Sequence, residues 1–309
     1  MGISQYIKEI GRGRDGARPL TREQAADLFG QLLDGSVTDL EVGAFCLAMR
    51  IKGETPQEMA GFLDATAARL QAVPLATSEP AVVIPSYNGA RRLPALTPLL
   101  ALLLAREGVA VVLHGTATES ARVPVSDVLA AMGVQPLDTL RPVRAGEAVF
   151  VPTGVLLPGL KRLLDVRRVV GLRNSAHSLV KLMNPVAGPA VIVSSYTHPE
   201  YATSMAAVFE LMGATALLLR GTEGEVVADA RRLPQMDGFV AGRRVPLEAG
   251  RKGTLTEVAD LPSGVDAEST AAYVQDVLAG RRPVPPSVAL QVEHILRLAR
   301  HNHSMETTA

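Results

Sequence analysis

The chain has 309 residues, of which 47% are hydrophobic and 20% charged, so a disordered or low-complexity protein is excluded and one large or two modest domains are expected. Its 31 Lys and Arg residues balance 31 Asp and Glu residues, and the bulk charge therefore gives no reason to expect a nucleic acid, a membrane or an acidic partner. A single cysteine, Cys46, excludes a disulfide framework or a multi-cysteine metal site and is typical of a reducing compartment. With neither a secretory signal pattern nor a long apolar stretch, a cytoplasmic protein is expected.

The first 72 residues have the pattern of helices with clear start signals. Three Thr residues each precede a Glu or Gln by three positions, which is the spacing of a capping box, where both side chains satisfy free backbone N–H groups. The pairs are Thr21 with Gln24, Thr38 with Glu41, and Thr55 with Glu58. Apolar residues at helical spacing follow each pair. The sequence therefore predicts a small all-helical N-terminal domain.

From Ala81 the pattern changes to short β-branched runs that alternate with helical segments. Continuous apolar runs, typical of strands covered on both faces, lie at 82–84, 109–113, 149–151, 190–193 and 216–219. Helices are predicted between them, at 96–107, 125–132, 159–164, 174–183 and 199–212. An irregular β segment over 226–262 and two further helices, at 266–278 and 286–300, are expected to follow. This alternation predicts an α/β domain with a mostly parallel central sheet.

Polar and glycine-rich segments follow four of the predicted strands, at the edge where a doubly wound sheet binds its ligands. These segments are 85–92, 114–120, 194–201 and 220–225. Small, hydroxyl-bearing and glycine residues that precede a helix form backbone anion sites. Phosphate is therefore the chemical group that these junctions favour.

In this order, and behind a capped helical segment, the four junctions resemble those of the anthranilate phosphoribosyltransferase family, also called glycosyltransferase family three, over nearly the whole chain. Further matching elements are Asp127–Val134, Gly171–Asn174 and Asn184–Pro185. The runs Ile84–Arg91, Arg173–His177, His198–Tyr201 and Gly221–Val226 are similar to the bacterial YbiB-type branch of this family. The resemblance implies a homodimer that binds nucleic acid without sequence preference. It also implies a helical domain of residues 1–74, joined in space by helices from about 156–185, and a large α/β domain of residues 75–155 and 186–309.

Within this frame, the phosphate-binding residues depart from the family pattern. The glycine-rich diphosphate loop is replaced by Pro85-Ser86-Tyr87-Asn88-Gly89, and Leu113 replaces a lysine before His114-Gly115. Such losses are expected to remove most of the stabilisation of a transfer reaction, so anthranilate phosphoribosyltransferase activity is not expected. The remaining positions of the phosphate site are Asn88, Gly89, His114, Gly115 and Thr116.

The resemblance leaves a few residues as candidates for residual chemistry. Vestigial catalytic candidates are Thr97, His114 and Arg167, and Glu225 with Glu223 is a candidate magnesium pair. Structural alternatives exist for three of them. His114 is then a structural histidine bonded to nearby backbone, and the two glutamates lie in a solvated turn after a strand.

The balanced net charge hides a segregation of charges along the chain. Residues 141–181 carry eight basic and two acidic residues, a net charge of +6, whereas residues 253–280 carry five acidic and no basic residues. In the resembled fold, the N-terminal helices and the segment near 156–185 meet at the dimer interface, where two-fold symmetry doubles every basic patch. The residues expected to bind nucleic acid are Lys8, Arg12, Arg14, Arg91, Arg92, Arg162, Arg167, Arg168, Arg173 and Lys181. A solvated face is the alternative for these charges.

Two functions follow from the sequence, and a plain dimeric scaffold with neither function is the third interpretation. The first is sequence-independent binding of DNA or RNA by a homodimer built on a phosphoribosyltransferase scaffold, with no cofactor and no membrane partner. The alternative is a phosphoribosyl or other pentosyl transferase with a non-anthranilate acceptor, which would use Mg²⁺.

Overall fold

A computed structural model describes residues 2–13, 15–254, 260–262 and 264–306. In chain order its helices are α1 (Ser4–Ile10), α2 (Arg22–Asp34), α3 (Asp39–Lys52), α4 (Pro56–Ala67), α5 (Thr97–Arg106), α6 (Val125–Ala131), α7 (Thr153–Leu156), α8 (Pro158–Val170), α9 (Ala176–Leu179), α10 (Pro199–Met212), α11 (Ala267–Leu278) and α12 (Pro286–Glu306). Its strands are β1 (Ala81–Ser86), β2 (Val111–Gly115), β3 (Ala148–Pro152), β4 (Ala190–Tyr196), β5 (Ala216–Arg220), β6 (Met236–Val240) and β7 (Arg243–Glu248). The chain divides into unit 1, made of Met1–Gln71 and Thr153–Pro185, and unit 2, made of Ala72–Pro152 and Val186–Ala309.

Unit 1 is a helical bundle whose helices begin where the sequence predicts. Capping boxes are present at the N-termini of α2, α3 and α4, with Thr21, Thr38 and Thr55 as the N-cap residues. The bundle closes around the rings of Phe29 and Phe62, which stack with centroids 4.6 Å apart. Because a Cβ atom on Gly159 would lie 2.0 Å from the carbonyl oxygen of Leu33, only glycine allows α8 to approach the end of α2 this closely.

Unit 2 contains a seven-stranded sheet in the order β3-β2-β1-β4-β5-β6-β7. Strands β1 to β5 pair in parallel, and β6 and β7 add an antiparallel edge. Every residue of β1 is buried, as expected for a strand covered on both faces. The chain runs outward from β1 through β2 and β3, then returns to β4 on the other side of β1. The carboxyl ends of β1 and β4 therefore form the topological switch point, where folds of this kind place their ligands.

The predicted fold class is confirmed, with local differences. The helix predicted over 174–183 is shortened to α9. Just before it, the Asn174 side chain accepts a hydrogen bond from the Ala176 N–H and donates one to the Leu163 carbonyl, at 3.1 and 2.8 Å. Helix α8 continues past the predicted residue 164 and ends at Gly171, whose φ of 76° terminates the helix in a left-handed cap. The irregular segment contains the β6–β7 hairpin. Among the helices described, none is long and apolar enough to cross a membrane.

Candidate functional site

Two loops meet at the carboxyl edge of the sheet in unit 2. The first, residues 87–92, leaves β1 after Ser86, and the second, residues 221–228, leaves β5 after Arg220. Five of the residues singled out from the sequence come together here: Asn88, Gly89, Thr97, Glu223 and Glu225. Their contacts join positions more than 120 residues apart in the chain.

Glu225 is the buried centre of this meeting point, with 2% of its surface exposed. Its Oε1 atom accepts hydrogen bonds from the backbone N–H groups of Asn88, at 2.9 Å, and Gly89, at 2.8 Å. Its Oε2 atom accepts a hydrogen bond from the Thr97 hydroxyl at 3.2 Å. A buried carboxylate needs such donors, because burying an unpartnered charge is costly.

Glu223 binds the next part of the same loop. Its carboxylate accepts hydrogen bonds from the backbone N–H groups of Arg91, at 2.6 Å, and Arg92, at 3.0 Å. Glu223 has a φ of 54°, a left-handed conformation that is uncommon for a residue with a side chain. The N–H groups of residues 88, 89, 91 and 92 are thus directed at two carboxylates of the protein itself.

The segment that carries these carboxylates is held in place by buried polar groups. The side chain of Gln291, fully buried in α12, accepts a hydrogen bond from the Ala228 N–H at 2.8 Å and donates one to the Val226 carbonyl at 2.7 Å. The Gly224 carbonyl accepts hydrogen bonds from the Asn88 amide and the Ser195 hydroxyl, at 2.8 and 3.0 Å. These contacts fix the backbone on both sides of Glu225.

Arg122 adds a charged contact at the edge of the same site. Its guanidinium donates to the carbonyl oxygens of Gly89 and Glu223, each at 3.2 Å, and pairs with Glu119. No sequence pattern indicates a role for Arg122. A signal for Gln291 does exist, since a single glutamine on the buried, apolar side of an amphipathic helix requires buried partners.

His114 lies in β2, beside β1, and is completely buried. Its Nδ1 atom is 2.9 Å from the Tyr87 hydroxyl, and burial lowers the pKa of the imidazole to about 3. Neutral at physiological pH and enclosed with Tyr87, His114 has the geometry of a structural histidine. The next residue, Gly115, lies against β1, because a Cβ atom there would be 1.9 Å from the Ser86 carbonyl oxygen.

A small cavity lies beside these loops and is lined in part by Tyr87, Asn88, Thr116, Thr118 and Arg122. Its volume of about 10 Å³ holds about one water molecule. The enclosed part of this cavity is therefore smaller than a phosphate group.

The carboxylates do not fit a magnesium ion in this arrangement. Magnesium requires oxygen ligands with lone pairs directed at the ion in near-octahedral geometry. Both oxygens of Glu225 instead face N–H or O–H donors, and Glu223 binds two backbone N–H groups. Within the described ranges, no group of three or more His, Cys, Asp or Glu side chains is placed to hold a metal ion.

The basic residues from 161 to 173, here called the α8 basic segment, lie in unit 1. Lys161, Arg162, Arg167, Arg168 and Arg173 belong to it, with Asp165 as its one acidic residue. Arg168 is well exposed, with 64% of its side chain accessible, and lies 3.6 Å from Asp165, which also pairs with Lys161. Arg167 and Arg173 are half-buried.

Arg162 in this segment has a structural contact as well. It donates to the carbonyl oxygens of Leu32 and Leu33 at the end of α2, at 2.9 and 3.3 Å. Its side chain therefore satisfies carbonyl groups that a helix C-terminus leaves without partners.

The other residues expected to bind nucleic acid are distributed over both units. In unit 1, Lys8 and Arg12 are exposed on and just after α1, where Arg12 pairs with Glu9 at 2.8 Å, and Lys181 is half-buried. Arg91 and Arg92 are exposed in unit 2, beside the Glu223 contact. Arg14 lies outside the described residues.

Comparisons with known proteins agree with this architecture. A family model described as "Glycosyl transferase family, helical bundle domain" matches residues 4–69. The chain is 42% identical over 301 residues to the uncharacterized protein YbiB of Escherichia coli (strain K12), covering 94% of this chain and 92% of that protein. It is 31% identical over 283 residues to the anthranilate phosphoribosyltransferase of Thermus thermophilus, covering 88% of this chain and 83% of that enzyme.

Solved structures show the same fold. The crystal structure of anthranilate phosphoribosyltransferase from Thermus thermophilus matches with a TM-score of 0.71 and 24% identity, covering 97% of this chain and 93% of that one. The enzyme from Saccharomyces cerevisiae in complex with PRPP and Mg matches with a TM-score of 0.69 and 14% identity, covering 96% of this chain and 88% of that one.

Proposed function

Because the chain belongs to the anthranilate phosphoribosyltransferase family, in its YbiB-type branch, we propose that it is a homodimer with a phosphoribosyltransferase scaffold. In this proposal the homodimer binds nucleic acid without sequence preference. The observation that carries this proposal is the α8 basic segment. Residues 161–173 contain five basic residues and one acidic residue, and two of the basic residues, Arg162 and Arg168, are exposed. Basic side chains of this kind neutralise backbone phosphates and release their counterions.

The state of the diphosphate loop also supports a change of function. In this chain the backbone N–H groups of residues 88, 89, 91 and 92 bind Glu223 and Glu225, so they are not presented to a diphosphate. Phosphate recognition is therefore assigned to the exposed basic residues and not to the buried loop. Recognition of base sequence is not part of the proposal, because phosphate contacts position a nucleic acid without reading its bases.

Electrophoretic mobility shift at low salt tests the proposal directly, with two unrelated DNA duplexes and an RNA of similar length. We expect all three to be retarded with similar affinity. If six to ten phosphates are contacted, the affinity should fall by about 10³–10⁵ between 50 and 200 mM salt. Absence of retardation at low salt by the purified, folded protein would contradict the proposal, and strong preference for one sequence would contradict phosphate-based recognition.

A second candidate function, phosphoribosyl or other pentosyl transfer to a non-anthranilate acceptor, is favoured by one observation. Thr97 and Glu225, which the family resemblance assigns to the transferase site, are hydrogen bonded to each other beside the loop. Calorimetry with PRPP and Mg²⁺ separates the two functions. Saturable micromolar binding by the wild-type protein that is lost in Glu225→Ala would support the transferase, whereas nucleic-acid binding alone predicts no such saturation.

A further inference from the structure

The loop after β1 has the backbone geometry of an anion site and already contains an anion supplied by the protein. We propose that Glu223 and Glu225 act as a built-in anionic plug, which occupies the N–H donors of residues 88, 89, 91 and 92 and keeps phosphate-bearing ligands out of this loop. This inference concerns the buried loop of unit 2 and does not depend on the nucleic-acid proposal.

The N–H donors of the loop match the carboxylate acceptors of the plug. Four backbone N–H groups within five residues are directed at carboxylate oxygens, with one glutamate serving residues 88 and 89 and the other serving residues 91 and 92. Concave arrays of backbone N–H groups of this kind are the usual binding site of phosphate oxygens. Two carboxylates, one for each half of the loop, therefore provide the two anionic groups that a diphosphate would bring.

The plug is built into the fold. Glu225 is almost completely buried, and its segment is anchored to α12 by the two hydrogen bonds of Gln291. A Cβ atom on Gly221 would lie 1.8 Å from the Glu225 carbonyl oxygen, so the segment turns tightly against itself before it reaches the loop. Glu223 keeps its two hydrogen bonds in a left-handed backbone conformation, which is a strained state for glutamate. Both glutamates therefore bond to the loop backbone, Glu225 in a buried position and Glu223 in a partly exposed one.

Little enclosed space lies beside the plug. The cavity next to Asn88 and Gly89 has enclosed room for about one water molecule, which is less than a phosphate group needs. A phosphate group that reached the N–H groups of the loop would also meet the carboxylates at close range, and like charges at short range repel each other. A phosphate-bearing ligand therefore has to replace the carboxylates and cannot join them.

Removal of the plug should increase the affinity of the loop for anions, whereas loss of a binding residue lowers the affinity of a site. The test compares the wild-type protein with Glu223→Ala/Glu225→Ala by titration calorimetry with inorganic diphosphate, without divalent metal and at constant ionic strength. We expect the double variant to bind one diphosphate per chain at least tenfold more tightly than the wild-type protein. Diphosphate should also raise its thermal unfolding temperature in a saturable way.

A matched control separates the plug from a general change in charge. Glu147 also lies in unit 2, and its carboxylate also accepts a backbone hydrogen bond, from the Arg144 N–H at 3.1 Å, but far in sequence from the loop. Glu147→Ala should bind diphosphate as weakly as the wild-type protein. Equal gains in Glu147→Ala and in the plug variants would overturn the proposal.

Two further results would overturn it. One is wild-type binding of diphosphate as tight as that of the double variant, since the donors would then be accessible with the plug present. The other is a folded double variant that binds no diphosphate, since the loop would then not be an anion site. If loss of the buried Glu225 side chain prevents folding, Glu223→Ala alone decides the question, because it leaves the contacts of Glu225 in place and vacates the N–H groups of Arg91 and Arg92.

Discussion

At the scale of single residues, His114 couples the stability of unit 2 to pH. The unfolded chain binds a proton at this histidine near its ordinary pKa of 6.5, whereas in the fold burial lowers its pKa to about 3. Between these values the unfolded state binds more protons, so the stability is fully present above pH 6.5 and is lost as the pH falls. A single proton of this kind contributes up to about 1.4 kcal/mol per pH unit.

His114→Gln should therefore flatten the acid side of the stability profile. Urea unfolding between pH 7 and pH 4 would show a wild-type loss steeper than that of the variant by up to about 1.4 kcal/mol per pH unit. His198, exposed at the start of α10, provides the control, and His198→Gln should follow the wild-type curve. If the free energy of unfolding fell equally steeply with pH in His114→Gln and in the wild-type protein, this histidine would not be the cause of the pH dependence.

Charge reversal of basic side chains also tests the proposed phosphate contacts. Charge reversal of Arg167 and Arg168 should weaken DNA binding at 50 mM salt by at least tenfold and reduce the slope of affinity against salt, because fewer counterions are released. Arg106→Glu/Arg281→Glu, exposed positions of unit 2, changes the net charge equally and should leave the slope unchanged. An equal effect of both pairs would assign the binding to the overall charge of the protein.

At the scale of elements, the start of α4 concentrates more buried charge than the other helix starts. Glu58 is fully buried, and its carboxylate accepts hydrogen bonds from the backbone N–H groups of Leu20 and Thr55, both at 2.9 Å. Lys52, also largely buried, pairs with it at 2.6 Å. One side chain thus caps α4, fixes the chain before α2 and neutralises a buried ammonium group.

Glu58→Ala should cost about 3–5 kcal/mol of unit 1 stability, because the ammonium group of Lys52 and the N–H of Leu20 would be left without their acceptor. Gln24→Ala, which removes the matching residue of the exposed capping box of α2, should cost about 1 kcal/mol. Urea unfolding followed by circular dichroism measures both. Equal losses in the two variants would show that the buried pair adds nothing to an ordinary cap.

Helices and strands that are determined by residues close in sequence could be predicted. The three capping boxes need residues only three positions apart, and the strands of the parallel sheet follow from short apolar runs. Helix α9 is shorter than predicted, and the Asn174 side chain just before it bonds to the carbonyl of Leu163, which belongs to another helix, so a local pattern does not show this contact.

The candidate site could be predicted only in part. Junctions after strands identified Asn88, Gly89, Glu223 and Glu225 as neighbours of one edge, and the family resemblance added Thr97. Their bonding could not be predicted, because the same glutamates would suit a metal ion or a solvated turn. Only the close approach of two loops, set by the sheet order, decides that they bind backbone N–H groups.

At the scale of the whole molecule, the proposed homodimer has a surface that can be tested. Leu40, Leu47 and Ile51 are 84%, 48% and 54% exposed and lie on one side of α3, spaced by two turns and then one. An exposed apolar surface of this kind is typical of an interaction site. Because the resemblance places the N-terminal helices at a two-fold interface, we assign this face to a second copy of the chain.

Leu47→Asp/Ile51→Asp should therefore convert the protein to a monomer of 32.6 kDa in sedimentation equilibrium. Nucleic-acid affinity should fall with it, because the second copy of every basic patch is lost. Leu211→Asp, an exposed leucine of α10 in unit 2, should leave both properties unchanged. A wild-type protein that sediments as a monomer would contradict the dimer and leave the basic segment of one chain to act alone.

The division of unit 1 into two chain segments has a consequence for biosynthesis. Helix α8 packs on α2 only after Thr153–Pro185 has left the ribosome, and residues 35–158 are made between the end of α2 and Gly159. At roughly 5–20 residues per second, the delay is about 6–25 s, during which the side of α2 that receives Gly159 lacks α8 as its partner. Slower translation of the codons for 72–152 therefore prolongs the exposure of a nascent apolar surface to chaperones and aggregation, and leaves the stability of the finished protein unchanged.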